Sequence, residues 1–268
     1  MQLSIITINF NNAYGLRKTI ESVVNQTFKD FEYIVIDGAS SDDSVDLIKN
    51  YQKDITYWVS EKDRGIYHAM NKGIKKATGE YCLFLNSGDW LINSNVLENV
   101  FDFFPDKDIV YGNLENSYGV DFYSDELKYS TFFYSSIGHP VSFIRKNLFD
   151  KIGLYNESLQ IVSDWEFFII ALFKYSCSYQ HIDIVITFFE GGGVSSNELS
   201  RQLQIDERRE VLKQQFPLMY DDYMELMKLR SSMRFYESSK LIQFVKWVQN
   251  SNVYRKIRKV NKFREQNL

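Results

Sequence analysis

Short apolar runs alternate with apolar residues at helical spacing over the first ninety positions. Leu3 to Ile8 is a β-branched run, Leu16, Ile20, Val23 and Val24 fall at helical spacing, and Tyr33 to Ile36 is apolar again. A helical pattern through Val45, Leu47, Ile48 and Tyr51 leads to a strand near Ile55 to Val59, a helix around Tyr67 to Ala77 and a buried strand from Tyr81 to Leu85. Such alternation needs crossover helices, so it predicts an α/β fold with a mostly parallel sheet. Beyond Asp108 the pattern loosens into mixed strands and loops up to about Glu190, with a turn at Gly138-His139-Pro140 and a helix through Trp165, Phe168, Ile169 and Leu172. Gly191-Gly192-Gly193 is the clearest break, since three glycines hold neither helix nor strand firmly. Long, polar, helical sequence follows it. The organisation expected is one large domain over 1–215, made of a half at about 1–110 and a half at about 111–195, then a helical appendage over 216–268.

The chain has 268 residues, enough to bury a substantial core, and its 44% hydrophobic and 25% charged content is that of an ordinary soluble globule. The 16% aromatic share suits flat apolar faces for rings, and equally suits a Phe-rich core. A net charge of −4 argues against general nucleic-acid binding, which needs Lys and Arg concentrated over one face. Cys82 and Cys177 sit in apolar runs and read as small buried hydrophobes, a usage that fits a reducing compartment. No apolar run spans a bilayer, and MQLSIITINF has no signal-peptide pattern, so a cytoplasmic protein is expected.

The densest chemistry lies between Trp58 and Trp90, where a strand, a polar loop, a helix and a buried strand deliver Asp63, Asn71 and Asp89 toward one edge of the sheet. Ser60 to Gly73 reads Ser-Glu-x-Asp-x-Gly-Ile-Tyr-x-Ala-Met-Asn-Lys-Gly. This stretch resembles the nucleotide-sugar-binding half of the inverting family-two glycosyltransferases, which have the GT-A fold, and is most similar to enzymes of bacterial surface-polysaccharide assembly. The resemblance covers about residues 3 to 195. It implies a Rossmann-like sheet flanked by helices, with the nucleotide sugar in the first half and the acceptor in the second.

The resemblance assigns Thr7, Asn9 and Asn11 to the nucleoside, together with Asp37, whose carboxylate would accept a ring N–H. Asp37-Gly38 is also a common turn dipeptide. Asp63 matches another nucleoside-facing position, and Asn71 and Lys72 correspond to an Asn-x-Gly that follows an Arg in many relatives. Here Met70 holds that place, leaving Lys72 as a substitute for the phosphate. Asn86-Ser87-Gly88-Asp89 stands where the family carries its metal motif, reduced to the carboxylate of Asp89 and the neutral oxygen of Asn86; the ion implied is Mg2+ or Mn2+. Asp164 resembles the catalytic base, although Ser and Asp at a helix start also serve as caps. Trp165 and Glu166 continue that motif and, with His139, are assigned to the acceptor or donor sugar. His68 and His181 read as structural. Gly191, Gly192 and Gly193 correspond to a mobile loop over the diphosphate.

In the appendage, Lys246, Arg255, Lys256, Arg258, Lys259, Lys262 and Arg264 face one acid, Glu265, and apolar residues including Phe244 and Trp247 recur at helical spacing. A basic amphipathic helix of this kind suits an anionic membrane surface, or packs on the catalytic domain. The activity implied is transfer from a nucleotide diphosphate sugar, UDP-linked, to a glycan or lipid-linked acceptor at the inner face of the membrane. A sugar-nucleotide pyrophosphorylase and a non-catalytic sugar-binding relative are the rivals.

Overall fold

Strand β1 (Leu3–Asn9) is buried along its whole length and lies at the centre of the parallel part of the sheet. The computed structural model describes residues 1–103, 106–191 and 198–250. Helix α1 (Ala13–Val24) follows β1, turning Leu16, Thr19, Ile20 and Val23 inward, and leads to β2 (Phe31–Asp37). Then come α2 (Ser44–Asn50), β3 (Tyr57–Ser60), α3 (Ile66–Lys76) and β4 (Tyr81–Phe84). The strands read from the apolar runs are those observed, except that β3 is displaced toward Ser60.

The second half holds β5 (Trp90–Leu91), α4 (Val96–Asp102), β6 (Ile109–Asn116), β7 (Gly119–Asp121), α5 (Tyr129–Tyr134), a 3-10 turn at His139–Val141, β8 (Ser142–Arg145), α6 (Asn147–Ile152), α7 (Ser163–Phe173) and β9 (Tyr179–Phe189). The sheet order is β3-β2-β1-β4-β8-β6-β9-β5, with β7 on β6. The longest ladders, β1 with β2 and β6 with β9, are parallel, whereas β8 runs antiparallel to both β4 and β6. Leu3, Ile5, Val35 and Leu83 are fully or almost fully buried beneath Leu16, Ile20 and Val23 of α1. Each such side chain contributes about 1.5–3 kcal/mol.

Two features fix where the carboxyl ends of the strands lie. At the opposite edge, the buried Glu32 carboxylate accepts the Ser4 hydroxyl at 2.6 Å, the Thr78 and Gly79 amides at 2.5 and 3.1 Å, and the Thr78 hydroxyl at 3.0 Å. It thereby ties the starts of β1, β2 and β4 together. On the sheet face, a Cβ at Gly73 would collide with Ile6 Cγ2, so the last glycine of the signature lets α3 lie close against β1.

The chain divides into two compact units, Met1–Val211 and Leu212–Leu268, with the boundary inside α8 (Glu198–Gln215). The second unit continues with α9 (Pro217–Ser238) and α10 (Lys240–Asn250). The basic residues from Arg255 onward lie outside the described residues.

Candidate active site

A cleft of about 570 Å³ opens at the carboxyl ends of β1 and β4, where an α/β sheet offers loops and helix N-termini to a ligand. Asn9, Phe10, Gly38, Asp63, Met70, Asn86, Asp89, His139, Asp164 and Gly191 are among its walls.

At the β1 end, Asn9 donates through Nδ2 to Asp37 Oδ1 at 2.8 Å and to Ser40 Oγ at 3.2 Å, while its own Oδ1 is buried without a partner among the described residues. Asp37 is wholly buried, and its carboxylate also accepts the Ser40 amide and the Ser40 and Ser60 hydroxyls at 2.6–2.9 Å. Four donors saturate a carboxylate. Asp37 therefore ties the ends of β1, β2 and β3 together behind the cleft wall. Thr7 is likewise buried, with its hydroxyl 3.0 Å from that of Tyr33. Asn11, in the left-handed region at φ 50°, accepts the Ser41 amide at 2.8 Å and links two loops. Neither lines the cleft. Phe10 does, with 65% of its surface exposed; an apolar residue following a strand carries no sequence signal for such a role.

Asp63 reaches the cleft, and its Oδ1 meets Lys72 Nζ at 2.5 Å and His68 Nδ1 at 3.0 Å. Burial opposes the charge of Lys72, but Asp63 and Glu61 outweigh it and hold the pKa above its ordinary value. Lys72 is thus the counter-ion of these carboxylates and is not part of the cleft wall. Asn71 is also turned away. It donates to Tyr155 O at 2.8 Å and Glu157 Oε1 at 3.1 Å and accepts the Tyr155 amide at 3.0 Å, clamping α3 to the segment before α7.

Asp164 occupies the first turn of α7, where the helix dipole favours a carboxylate. Its Oδ1 accepts the Trp165 amide at 2.9 Å and the Tyr67 hydroxyl at 3.1 Å; its Oδ2 is 3.0 Å from His139 Nδ1. Burial alone would raise its pKa, but the hydrogen bond and charge of His139 and the bonds from Trp165 and Tyr67 hold it below the ordinary value. Oδ2 keeps capacity for one more donor. The other ring nitrogen of His139 lies 3.0 Å from Asn86 Nδ2, so His139 connects the base candidate to the loop after β4. Tyr67, the tyrosine of the signature, carries this contact without having been singled out by sequence.

Trp165 and Glu166 are both buried away from the cleft, and Trp165 Nε1 donates to Phe132 O at 2.8 Å. His181 lies in β9 and meets Asn113 Oδ1 at 2.9 Å. Gly191, at φ +78°, is at the cleft mouth; Gly192 and Gly193 lie outside the described residues.

Asp89 is 4% exposed, and burial pushes its pKa up to about 7 against the opposing charge of His139 and a hydrogen bond from the Glu190 amide. The Oδ1 of Asn86 is buried without a partner among the described residues, which also hold no group of three His, Cys, Asp or Glu side chains placed to bind a metal ion by themselves. A buried carboxylate short of positive charge and an orphaned amide oxygen fit a hard divalent cation that takes most of its shell from phosphates and water.

The profile of Glycosyl transferase family 2 matches residues 4–158. A PGL/p-HBAD biosynthesis glycosyltransferase of Mycobacterium bovis is 31% identical over 212 residues, which cover 74% of this chain and 81% of that protein. An uncharacterized glycosyltransferase of Mycobacterium tuberculosis is 32% identical over 216 residues, covering 77% and 82%. Among solved structures, S. aureus TarS 1-349 in complex with UDP-GlcNAc matches with a TM-score of 0.64 at 18% identity, over 93% of this chain and 79% of that one. Mannosyltransferase PcManGT from Pyrobaculum calidifontis, in complex with GDP-Man and Mn2+, matches with a TM-score of 0.60 at 13% identity, over 95% and 82%. Profile, relatives and fold agree: the chain belongs to glycosyl transferase family 2 and is a glycosyltransferase of the GT-A fold.

Proposed function

We propose that this protein transfers a sugar, with inversion, from a UDP-sugar to a hydroxyl of a glycan or lipid-linked oligosaccharide in surface-polysaccharide assembly. One observation carries this reading: an ionised carboxylate, Asp164, and a buried carboxylate short of positive charge, Asp89, line the same cleft. The acceptor hydroxyl bonds to Asp164 Oδ2, which takes its proton as the oxygen attacks the anomeric carbon opposite the departing UDP. Tyr67 and the Trp165 amide hold Oδ1 meanwhile. Asn9, Phe10 and Asp63 face the nucleoside, Phe10 offering a ring face to the base. Charge on the leaving diphosphate is offset by a divalent cation when one is held at Asp89 and Asn86.

UDP-GlcNAc in the TarS complex supports a UDP-linked donor, and Mn2+ in the PcManGT complex supports the cation. A pyrophosphorylase would need Arg and Lys after β1, where this chain has Asn9-Phe10-Asn11-Asn12-Ala13. On α10, Leu241, Phe244 and Trp247 recur every three residues and are each at least 59% exposed, next in sequence to the basic tail. No helix among the described residues is long and apolar enough to cross a membrane. We assign this second unit to the cytoplasmic membrane surface.

A thermal-unfolding screen of nucleotide sugars with and without Mn2+ tests the donor, because a ligand held only by the native state raises its stability. UDP-sugars should protect most, and the transferred sugar should emerge with inverted anomeric configuration by NMR. Protection by a nucleoside triphosphate with a sugar phosphate, without transfer, overturns the reading.

A further inference from the structure

Two consecutive residues of α8 grip the chain on both sides of Asp164. Glu207 is 8% exposed, and its carboxylate accepts three successive backbone amides: Gln160 at 2.6 Å through Oε1, and Ile161 and Val162 at 3.0 and 3.2 Å through Oε2. Val162 is the N-cap of α7 and has no side chain able to cap it. The N-cap amide of Val162 is one of the donors that a helix start leaves without an intrahelical partner, and a negative charge there is favoured by the helix dipole. Glu207 supplies this charge from a distant segment. The next residue, Arg208, places its guanidinium 5.0 Å from the centre of the Trp165 ring, a cation–π contact immediately after Asp164. Between these two grips, Ile161 O accepts the Tyr67 hydroxyl at 2.6 Å, and the same hydroxyl reaches Asp164 Oδ1.

We propose that Glu207 and Arg208 are positioning residues for the base: they fix the first turn of α7 and with it the Asp164 carboxylate against the acceptor hydroxyl. Neither lines the cleft itself, although Glu207 holds the Gln160 and Ile161 backbone of its wall, and both lie beyond residue 158, where the family profile ends. The proposal rests on Asp164 as the base. Its ligand-binding control is UDP, for which the contacts proposed above are Asn9, Phe10 and Asp63.

The test compares Glu207→Gln, Glu207→Asp and Arg208→Met in the full chain, alone and combined with Asp164→Asn. UDP affinity comes from calorimetry, and turnover from UDP release with the UDP-sugar that protects best, water or a supplied alcohol being the acceptor. Glu207→Gln should lower kcat about tenfold or more while UDP affinity stays within about twofold, since small misplacement of a reacting group is costly. Glu207→Asp, which keeps the charge one methylene short, should fall between wild type and Gln, and Arg208→Met should show a smaller loss. In the Asp164→Asn background the same changes should alter the residual rate by less than about twofold, because a misplaced base that is already absent costs nothing more.

Equal losses in both backgrounds overturn the proposal, as does a fall in UDP affinity matching that in kcat. A Glu207→Asp variant no better than Glu207→Gln also overturns it. Near-normal turnover in Asp164→Asn alone would instead sink the base assignment, and failure of UDP to bind the wild type would sink the donor.

Discussion

His139 Nδ1 lies 3.0 Å from Asp164 Oδ2, in a setting where burial and pairing act on the carboxylate in opposite directions. Burial favours the protonated acid, and His139 is the largest influence keeping it ionised. Replacing His139 with Gln should therefore let the Asp164 pKa rise. A base must be ionised to accept a proton, so at saturating Mn2+, which keeps Asp89 ionised, kcat/KM of the wild type should stay level as pH falls from 7 to 5, while that of His139→Gln should decline across the same range. Parallel pH profiles would show that His139 does not set the state of the base.

Asp164→Asn preserves the shape of the site and the acceptors for Tyr67 and Trp165, but it cannot take up the acceptor proton. UDP should bind it as it binds the wild type, and transfer should fall by roughly a hundredfold or more. Initial rates with the best donor decide this, and near-normal transfer removes Asp164 from the mechanism.

Asp89 yields a linked pair of expectations. UDP binding should tighten with Mn2+ or Mg2+ in the wild type and lose that response in Asp89→Ala, as read by calorimetric titration. The folded pKa of about 7 lies above the ordinary 3.8, so Asp89 favours the folded state when protonated and this advantage disappears as pH rises through 7. In the absence of metal, Asp89→Asn should accordingly raise the unfolding free energy more at pH 8 than at pH 5, by an amount on the order of a few kcal/mol, as read by denaturant titration. An equal effect at both pH values would mean that Asp89 does not titrate in this range.

The full-length chain should co-sediment with anionic vesicles at low salt and release at high salt, whereas a chain ending at Ser239 should stay in solution. Each basic residue near a charged surface contributes on the order of 1 kcal/mol, and salt screens that attraction. If both chains remain equally soluble, residues 240–268 serve another purpose.

The first half of the fold was legible because β1, β2 and β4 have apolar faces that are continuous in sequence. The site was legible only where a residue's role is local. Asp164 and Trp165 are adjacent in sequence, yet neighbours on a helix diverge by about 100°, so one reaches the cleft and the other the core. Asp37, Asn71 and Lys72 carry the right chemistry, but their polar atoms are taken by Ser40, Tyr155 and Glu61, partners revealed only by tertiary pairing. Glu207 has no motif, since an acceptor that reaches the Val162 amide from 45 residues away leaves no short-range pattern.

Strand β9 lies between β6 and β5, so β5, the short strand beside Asp89, has no other strand partner among the described residues. On a ribosome, roughly a hundred residues must be made between β5 and its partner, ~5–20 s of synthesis. During the first half of that interval β4 waits for β8; until its end β6, once made, lacks β9, and the Glu190 amide that meets Asp89 does not yet exist. The nascent first half is thus a set of apolar strands with open edges, the state most prone to pairing with other chains. Expression of residues 1–110 alone would keep the protein in that state permanently.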